Sequence, residues 1–182
     1  MNKPRMREIS ESGFTVRVPS QTSFRFSECP SYLSLSGMNL KEMDFGWWDS
    51  SNCRITLMEL KGDDLWLAFD GSRDTAHKHL VDVLIGKATD SLFMLAATWI
   101  GTSIGMQFRD SLPPQVHGYP GEGNLKVIFL IDTPPSRKPL LAPVKDAINS
   151  ALGGRMRLFG VRNVTLIDFE VAKRMGLAVT RV

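Results

Sequence analysis

Asp44, Glu59 and Lys61 are the residues whose types and spacing point most directly to chemistry. Glu59 and Lys61 flank a single apolar residue, Leu60, at the end of the run Arg54-Ile55-Thr56-Leu57-Met58-Glu59-Leu60-Lys61. Asp44 lies 15 residues before Glu59, beyond a polar tetrad, Asp49-Ser50-Ser51-Asn52. In an extended strand alternate side chains share a face, so Glu59 and Lys61 project together, about 6–7 Å apart along the strand. If the arms pair around the tetrad, Asp44 comes near Leu57 and within a rung or two of Glu59. A slip of one residue would turn Asp44 to the wrong face.

Two carboxylates that converge repel each other unless a cation sits between them. Hard oxygen ligands suit Mg2+ or Mn2+, which keep several waters and share a phosphate oxygen with a substrate. Such an ion acidifies a bound water and neutralises charge developing on phosphate. A neighbouring ammonium orients that water and stabilises the transition state. The combination suits metal-assisted phosphodiester hydrolysis. The plainer reading is a solvated Glu59–Lys61 pair on an outer strand face, worth under ~1 kcal/mol. Against it, Ile55, Leu57, Met58 and Leu60 put apolar residues at both parities. A strand covered on both faces makes charges at its end costly.

The elements that must hold these residues can be read from the same pattern. Two arms, Leu40 to Trp48 and Cys53 to Lys61, form a hairpin around the tetrad. Gly13 to Val18 alternates as a strand that Pro19 ends. Ser27 is positioned to cap a short helix through Leu35. Asp74 or Thr75 caps a long helix whose apolar positions Leu80, Val81, Leu84, Ile85, Ala88, Leu92, Leu95, Ala96 and Trp99 follow the i, i+3, i+4 rhythm. Residues 102–123 read as a Gly/Pro-rich connection or an extension of that helix. Leu125 to Asp132 reads as a strand buried on both faces. A second helix runs from Lys138 and stops at Gly153. Residues 155–161 and 163–169 read as strands, and 170–176 as a last helical turn. A hairpin followed by helix-linked buried strands implies an α/β fold, a mixed central sheet flanked by helices.

Composition bounds the rest. A chain of 182 residues fits one domain, 1–182. Its net charge of +3 permits a nucleic-acid partner without arguing for one. Cys29 and Cys53 have no metal-ligand spacing, and the expectation is free buried thiols in a reducing compartment. The first fourteen residues carry no apolar run of signal-peptide length. The longest apolar stretch, 91–106, is broken by Thr, Ser and Gly, shorter than the ~20 residues a spanning helix needs. The expectation is a soluble, cytoplasmic protein with no membrane partner. His77, His79 and His117 are too scattered for a zinc site, His77 and His79 pointing to different sides of a helix. Trp47-Trp48 is either a base-stacking platform or core. Lys87 and Asp90 either reach a groove from the long helix or face water. Arg155 and Arg157, alternating on a strand, either touch phosphate or are solvated. No phosphate-binding glycine loop is present.

Residues 42–62, Glu-Met-Asp-Phe-Gly-Trp-Trp-Asp-Ser-Ser-Asn-Cys-Arg-Ile-Thr-Leu-Met-Glu-Leu-Lys-Gly, resemble the active-site hairpin of the PD-(D/E)XK nuclease superfamily. Asp44 matches the first acid of that pattern and Glu59-Leu60-Lys61 matches Glu-x-Lys. Met43 stands where the name pattern has Pro. The resemblance spans about residues 25–135, with a helix and strands at 138–182 outside it. It implies a restriction-endonuclease-like core and a Mg2+- or Mn2+-dependent endonuclease acting on DNA or, second, on RNA. It implies that Asp44, Glu59 and the Leu60 carbonyl are metal ligands and that Lys61 positions or activates the attacking water. Glu28 is the best-placed candidate for an upstream auxiliary acid, and Asp49 is either a rival to Asp44 or, from its place in the turn-forming tetrad, a structural residue. In general it suggests prokaryotic defence or DNA repair. The alternative is the same fold as a non-catalytic subunit or scaffold, a homo-oligomer or a partner in a larger nucleic-acid-processing assembly. A hydrolase on an unrelated α/β scaffold has no motif in its favour.

Overall fold

The computed structural model describes residues 5–62, 66 and 73–181, apart from the side chains of 36, 73–77 and 79. A five-stranded sheet forms its middle layer: β3 (Ser23–Phe24), β4 (Phe45–Asp49), β5 (Arg54–Lys61), β6 (Leu125–Ile131) and β7 (Thr165–Ile167), in that order. β3, β4 and β5 are antiparallel neighbours, whereas β5, β6 and β7 run parallel. Parallel neighbours need a crossover. Here α2 (Arg73–Ile100) and α3 (Ser103–Ser111) join β5 to β6, and α4 (Leu141–Leu158) joins β6 to β7. The sheet is mixed and helix-flanked, as the pattern of elements implies.

Strand alternation divides the core in two. Ile55, Leu57, Val127, Phe129, Ile131 and Leu166 face one way, against Leu84, Ala88, Leu92 and Leu95 of α2 and Val144, Ile148, Leu152 and Met156 of α4. Phe45, Trp47, Met58, Leu60, Ile128, Leu130 and Ile167 face the other way. There they meet a second, three-stranded sheet of β1 (Met6–Glu11), β2 (Phe14–Pro19) and β8 (Val179–Arg181), with α5 (Phe169–Arg174) beside it. Each fully buried aliphatic or aromatic side chain contributes about 1.5–3 kcal/mol, so both faces of β5 are held firmly. Trp47 stacks on Phe45 in this second core, which settles it as packing, not a stacking platform; Trp48 packs against the first core.

Several boundaries differ from expectation. The first arm is strand only from Phe45, because residues 39–44 are held by side chains instead of a ladder. Asp49 pairs with Arg54, so the loop is Ser50–Cys53, and Cys53 takes a left-handed φ of 49°. Ser27 lies inside a 3-10 turn, Phe26–Glu28, that precedes α1 (Pro30–Leu35). Within 102–123 a separate helix forms, α3, whose first amides are met by Thr102: its hydroxyl accepts the Gly105 amide at 3.0 Å. α4 runs through Gly153 and Gly154 to Leu158, which removes the strand expected at 155–161 and places Arg155 and Arg157 in its last turn. Continuity of the buried i, i+4 series Ile148, Leu152 and Met156 outweighs the cost of two helical glycines, about 1 kcal/mol each.

Cys29 is buried and its thiol is pushed up to about 11 by burial, whereas Cys53 is exposed, not buried as expected. His117 Nε2 sits 2.8 Å from the Leu112 carbonyl, a local tie. The expected cap at Asp74 or Thr75 and the side chains of His77 and His79 lie outside the described residues. Among the described residues no helix is long and apolar enough to cross a membrane.

Candidate functional site

β4 and β5 pair in the register Phe45↔Met58 and Gly46↔Leu57. One step further along that register Asp44 stands opposite Glu59, on the face turned to α2. Both acids are buried, Glu59 at 0% exposure and Asp44 at 8%. Burial of two carboxylates is tolerated only where their oxygens are hydrogen-bonded and their charge is met.

Backbone amides supply the first requirement. Asp44 Oδ2 accepts the Leu60 amide at 2.7 Å, and Glu59 Oε2 accepts the Asp44 amide at 3.2 Å. Each acid therefore fixes the strand that carries the other. Lysines supply the second. Lys61 Nζ is 2.8 Å from Glu59 Oε1. Lys87, from α2, places Nζ 2.7 Å from the same Oε1 and 3.2 Å from Asp44 Oδ1. One ammonium thus spans both acids from the helix while the other closes on Glu59 from its own strand.

The charges shift accordingly. Burial, and then the Asp44 carboxylate, push the Glu59 pKa above the ordinary glutamate value, against the pull of Lys87 and Lys61. Burial works against the Lys87 charge, but Glu59 and Asp44 more than offset it, so its pKa is raised. Glu42, two residues before Asp44, is also raised, by burial first, with the Lys87 charge working in the opposite direction. Tyr32 donates its hydroxyl to the Glu42 carboxylate.

A set of side chains holds Asp44 in place. Ser91 of α2 is fully buried and its Oγ accepts the Met43 amide at 2.8 Å. Asp90 accepts the Lys41 amide at 3.0 Å, so it clamps the approach segment instead of reaching a groove or facing water. Arg25 Nε donates to the Asp44 carbonyl at 2.9 Å. Lys87, Ser91, Glu42 and Arg25 are the members of the cluster that motif spacing does not reveal. A signal exists for Ser91, a polar residue on the apolar seam of the long helix, one turn beyond Lys87.

Not every candidate joins. Glu28 pairs with Arg7 of β1 at the surface. Asp49 sits at the far end of β4, where Oδ1 accepts the Ser51 and Asn52 amides at 3.1 and 3.3 Å and Oδ2 lies 3.2 Å from Arg54. That is a turn-stabilising role, and Asp49 does not rival Asp44.

The third donor that the resemblance implies is the Leu60 carbonyl. The Lys61 carbonyl accepts the Asp132 amide on the β6 side. Alternation along the strand turns the Leu60 N–H and C=O the other way, towards Asp44 and past the end of β4. Two amide-held carboxylates and a carbonyl, with the remaining positions left to water, match what Mg2+ or Mn2+ accepts. Among the described residues no group of three acids, histidines or cysteines gathers around one point. The space between the two carboxylates is spanned by the Lys87 ammonium, so a cation there has to displace that contact.

Comparison of the chain with family models, with curated proteins and with solved structures finds no match.

Proposed function

We propose that the chain is a metal-dependent nuclease that hydrolyses phosphodiester bonds of DNA, on a restriction-endonuclease-like core. One observation carries the reading: Asp44, just before β4, and Glu59 of β5 converge on a single cation, the Lys87 ammonium, with Lys61 alongside. The strand–strand–helix–strand order from β4 to β6 agrees with the core that the hairpin resemblance implies. Asp44, Glu59 and the Leu60 carbonyl would hold Mg2+ or Mn2+. Such an ion would lower the pKa of a bound water and neutralise charge on the phosphate as a Lewis acid. Lys61, half-exposed beside Glu59, orients the attacking water and faces the charge that grows on the phosphate oxygens. Lys87 keeps the two acids neutralised, and its ammonium would have to give way for a divalent ion to be held there. The amides of Asp44 and Leu60 hold both carboxylates rigid throughout, so the acids need no reorganisation.

A second reading has its own support. Two ammoniums already neutralise two carboxylates, a balanced cluster that needs no metal. In that case the chain is a non-catalytic subunit of a larger nucleic-acid-processing assembly.

Incubation with plasmid and single-stranded DNA and with RNA, in Mn2+, Mg2+ or EDTA, separates the two. The nuclease reading expects metal-dependent cutting that falls about 100-fold or more in Lys61→Ala and Glu59→Gln, with melting temperature retained. Metal-dependent cutting unchanged in both variants would remove the assignment of these residues. No cutting of any substrate would leave the scaffold reading in its place.

A further inference from the structure

The three parallel strands all end on the edge of the sheet that carries the acids. β5 ends at Lys61, β6 runs on into Asp132 and β7 into Asp168. Each of these ends carries an ion pair. Lys61 meets Glu59, Arg181 of β8 lies 2.6 Å from Asp132 Oδ1, and Lys138, in the 3-10 turn before α4, lies 3.2 Å from Asp168 Oδ2. In open α/β sheets, ligands bind outside the carboxyl ends of the strands.

The three pairs share an orientation. The Arg181 side chain is 52% exposed against 20% for Asp132, and Lys138 is 45% exposed against 8% for Asp168. The acids lie behind and the cations face water, just as Lys61 stands in front of Glu59. Asp168 is further engaged inward, where its Oδ1 accepts the Val171 amide at 2.8 Å. Arg181 is held in place, its guanidinium 4.5 Å from the centre of the Phe169 ring. Lys138 and Arg181 border one hollow of about 150 Å³. That hollow is close to the acids. The Asp132 amide donates to the Lys61 carbonyl at 2.7 Å, and β5 and β7 stand two strand spacings apart, about 10 Å. A nucleic-acid strand carries one charge per about 3.4 Å of its axis, so the hollow lies within a few nucleotides of a phosphate at Asp44 and Glu59.

We infer that Arg181 and Lys138 hold a non-scissile backbone phosphate of a DNA strand laid across the ends of β5, β6 and β7. The contact rests on the nuclease reading and states where its substrate lies. It meets charge and not base edges, so it positions the strand without reading its sequence. Exposed Glu170 also borders the hollow and opposes the phosphate.

Fluorescence anisotropy in EDTA, with single-stranded and duplex DNA of about 20 nucleotides over about 50–200 mM salt, tests it. Arg181→Gln and Lys138→Gln each weaken binding about 3- to 10-fold and reduce the salt slope by about 0.7–0.9. Glu170→Gln tightens binding. Arg162→Gln, beside the opposite ends of β6 and β7, leaves it unchanged. A purely structural role for the two pairs lowers the melting temperature and leaves the salt slope alone, which overturns the inference. Cleavage in Mn2+ is read separately: KM rises in both variants while kcat stays close to wild type. Weakened binding in the variants, with no cleavage by wild type, upholds this surface and removes the nuclease reading. Cleavage by wild type, with salt slopes unchanged in both variants, does the reverse. An equal loss in Arg162→Gln, or no DNA binding by the wild-type chain, also overturns the inference. Should one variant not fold, the other and Glu170→Gln decide.

Discussion

The Glu59 carboxylate accepts the backbone amide of Asp44, N to Oε2 3.2 Å, so the two acids lock each other's strands as well as sharing a cation. The contact has a consequence for substitutions. Removing either carboxylate disturbs the frame of the other, and amide replacements, which keep an oxygen acceptor, are the informative variants. Asp44→Asn and Glu59→Gln should each lower metal-dependent cleavage about 100-fold or more, while circular dichroism stays close to wild type. Alanine at either position should also lower stability, because a buried amide then loses its acceptor, a cost of about 1–3 kcal/mol.

Lys87 has a separable role. Lys87→Met keeps the aliphatic stem but leaves two buried carboxylates to Lys61 alone. Breaking a buried ion pair costs about 3–5 kcal/mol, and the partial exposure of Lys87 brings the expected loss to about 1–3 kcal/mol at neutral pH. Mn2+ should restore more melting temperature to Lys87→Met than it adds to wild type, since the competing ammonium is gone. Thermal melts with and without Mn2+ read this directly. Equal metal-induced shifts would show that Lys87 and the ion do not compete.

The raised Glu59 pKa fixes a pH dependence. An acid with a folded pKa above its unfolded value, about 4.3, stabilises fully below that value and loses the contribution as pH rises through the folded pKa. As pH rises past about 4.3 the raised pKa therefore weighs increasingly against folding. Urea unfolding at pH 4 to 8 should find Glu59→Gln gaining on wild type as pH rises above about 4.3. The difference should close again at lower pH. Lys87 follows the same sign at the other end of the scale: its raised pKa keeps its stabilisation intact below about 10.4 and loses it only above.

Gly105 marks where the helix bearing Lys87 meets α3. A Cβ at Gly105 would stand 1.9 Å from the Ala97 carbonyl oxygen and 2.8 Å from the Thr98 amide nitrogen, both backbone atoms of α2. Backbone cannot step aside as a side chain does. Gly105→Ala should cost about 2 kcal/mol or more and push α2 and α3 apart. A melting temperature within 2 °C of wild type would contradict this, given shifts of about 2–4 °C per kcal/mol in a chain of this size.

Particular residues explain what the chain's pattern makes legible. The hairpin is readable because Ile55, Leu57, Met58 and Leu60 signal a strand covered on both faces and the polar tetrad signals a turn. The loop lies one residue later than expected, ending at Cys53 instead of Asn52, so the pairing moves by two residues and Asp44 faces Glu59 instead of Leu57; Cys53 takes a left-handed backbone that few cysteines adopt. β1 carries little signal: only Ile9 of its six residues is buried, and its turn to β2, Ser12-Gly13, uses a serine at a left-handed φ of 52°. The end of α4 reads as a strand because Arg155-Met156-Arg157-Leu158 alternates, while the helical partner series from Ile148 to Met156 spans the glycines that seem to end it.

At the site, Asp44, Glu59 and Lys61 follow from strand periodicity plus a turn. Lys87 does not. Its place depends on the packing of α2 across β5, a contact between residues 28 apart in sequence. Glu28 misleads because Arg7, on the strand with the weakest signal, captures it. Asp49 is excluded by its own turn, whose amides it accepts.

The most direct measurement of the central claim is the anomalous difference map of a crystal soaked in Mn2+. The account predicts a peak about 2.1 Å from carboxylate oxygens of both Asp44 and Glu59, within reach of the Leu60 carbonyl, with the Lys87 ammonium displaced from between them. Lys87 still spanning the two acids at saturating Mn2+, with no peak beside them, would contradict it.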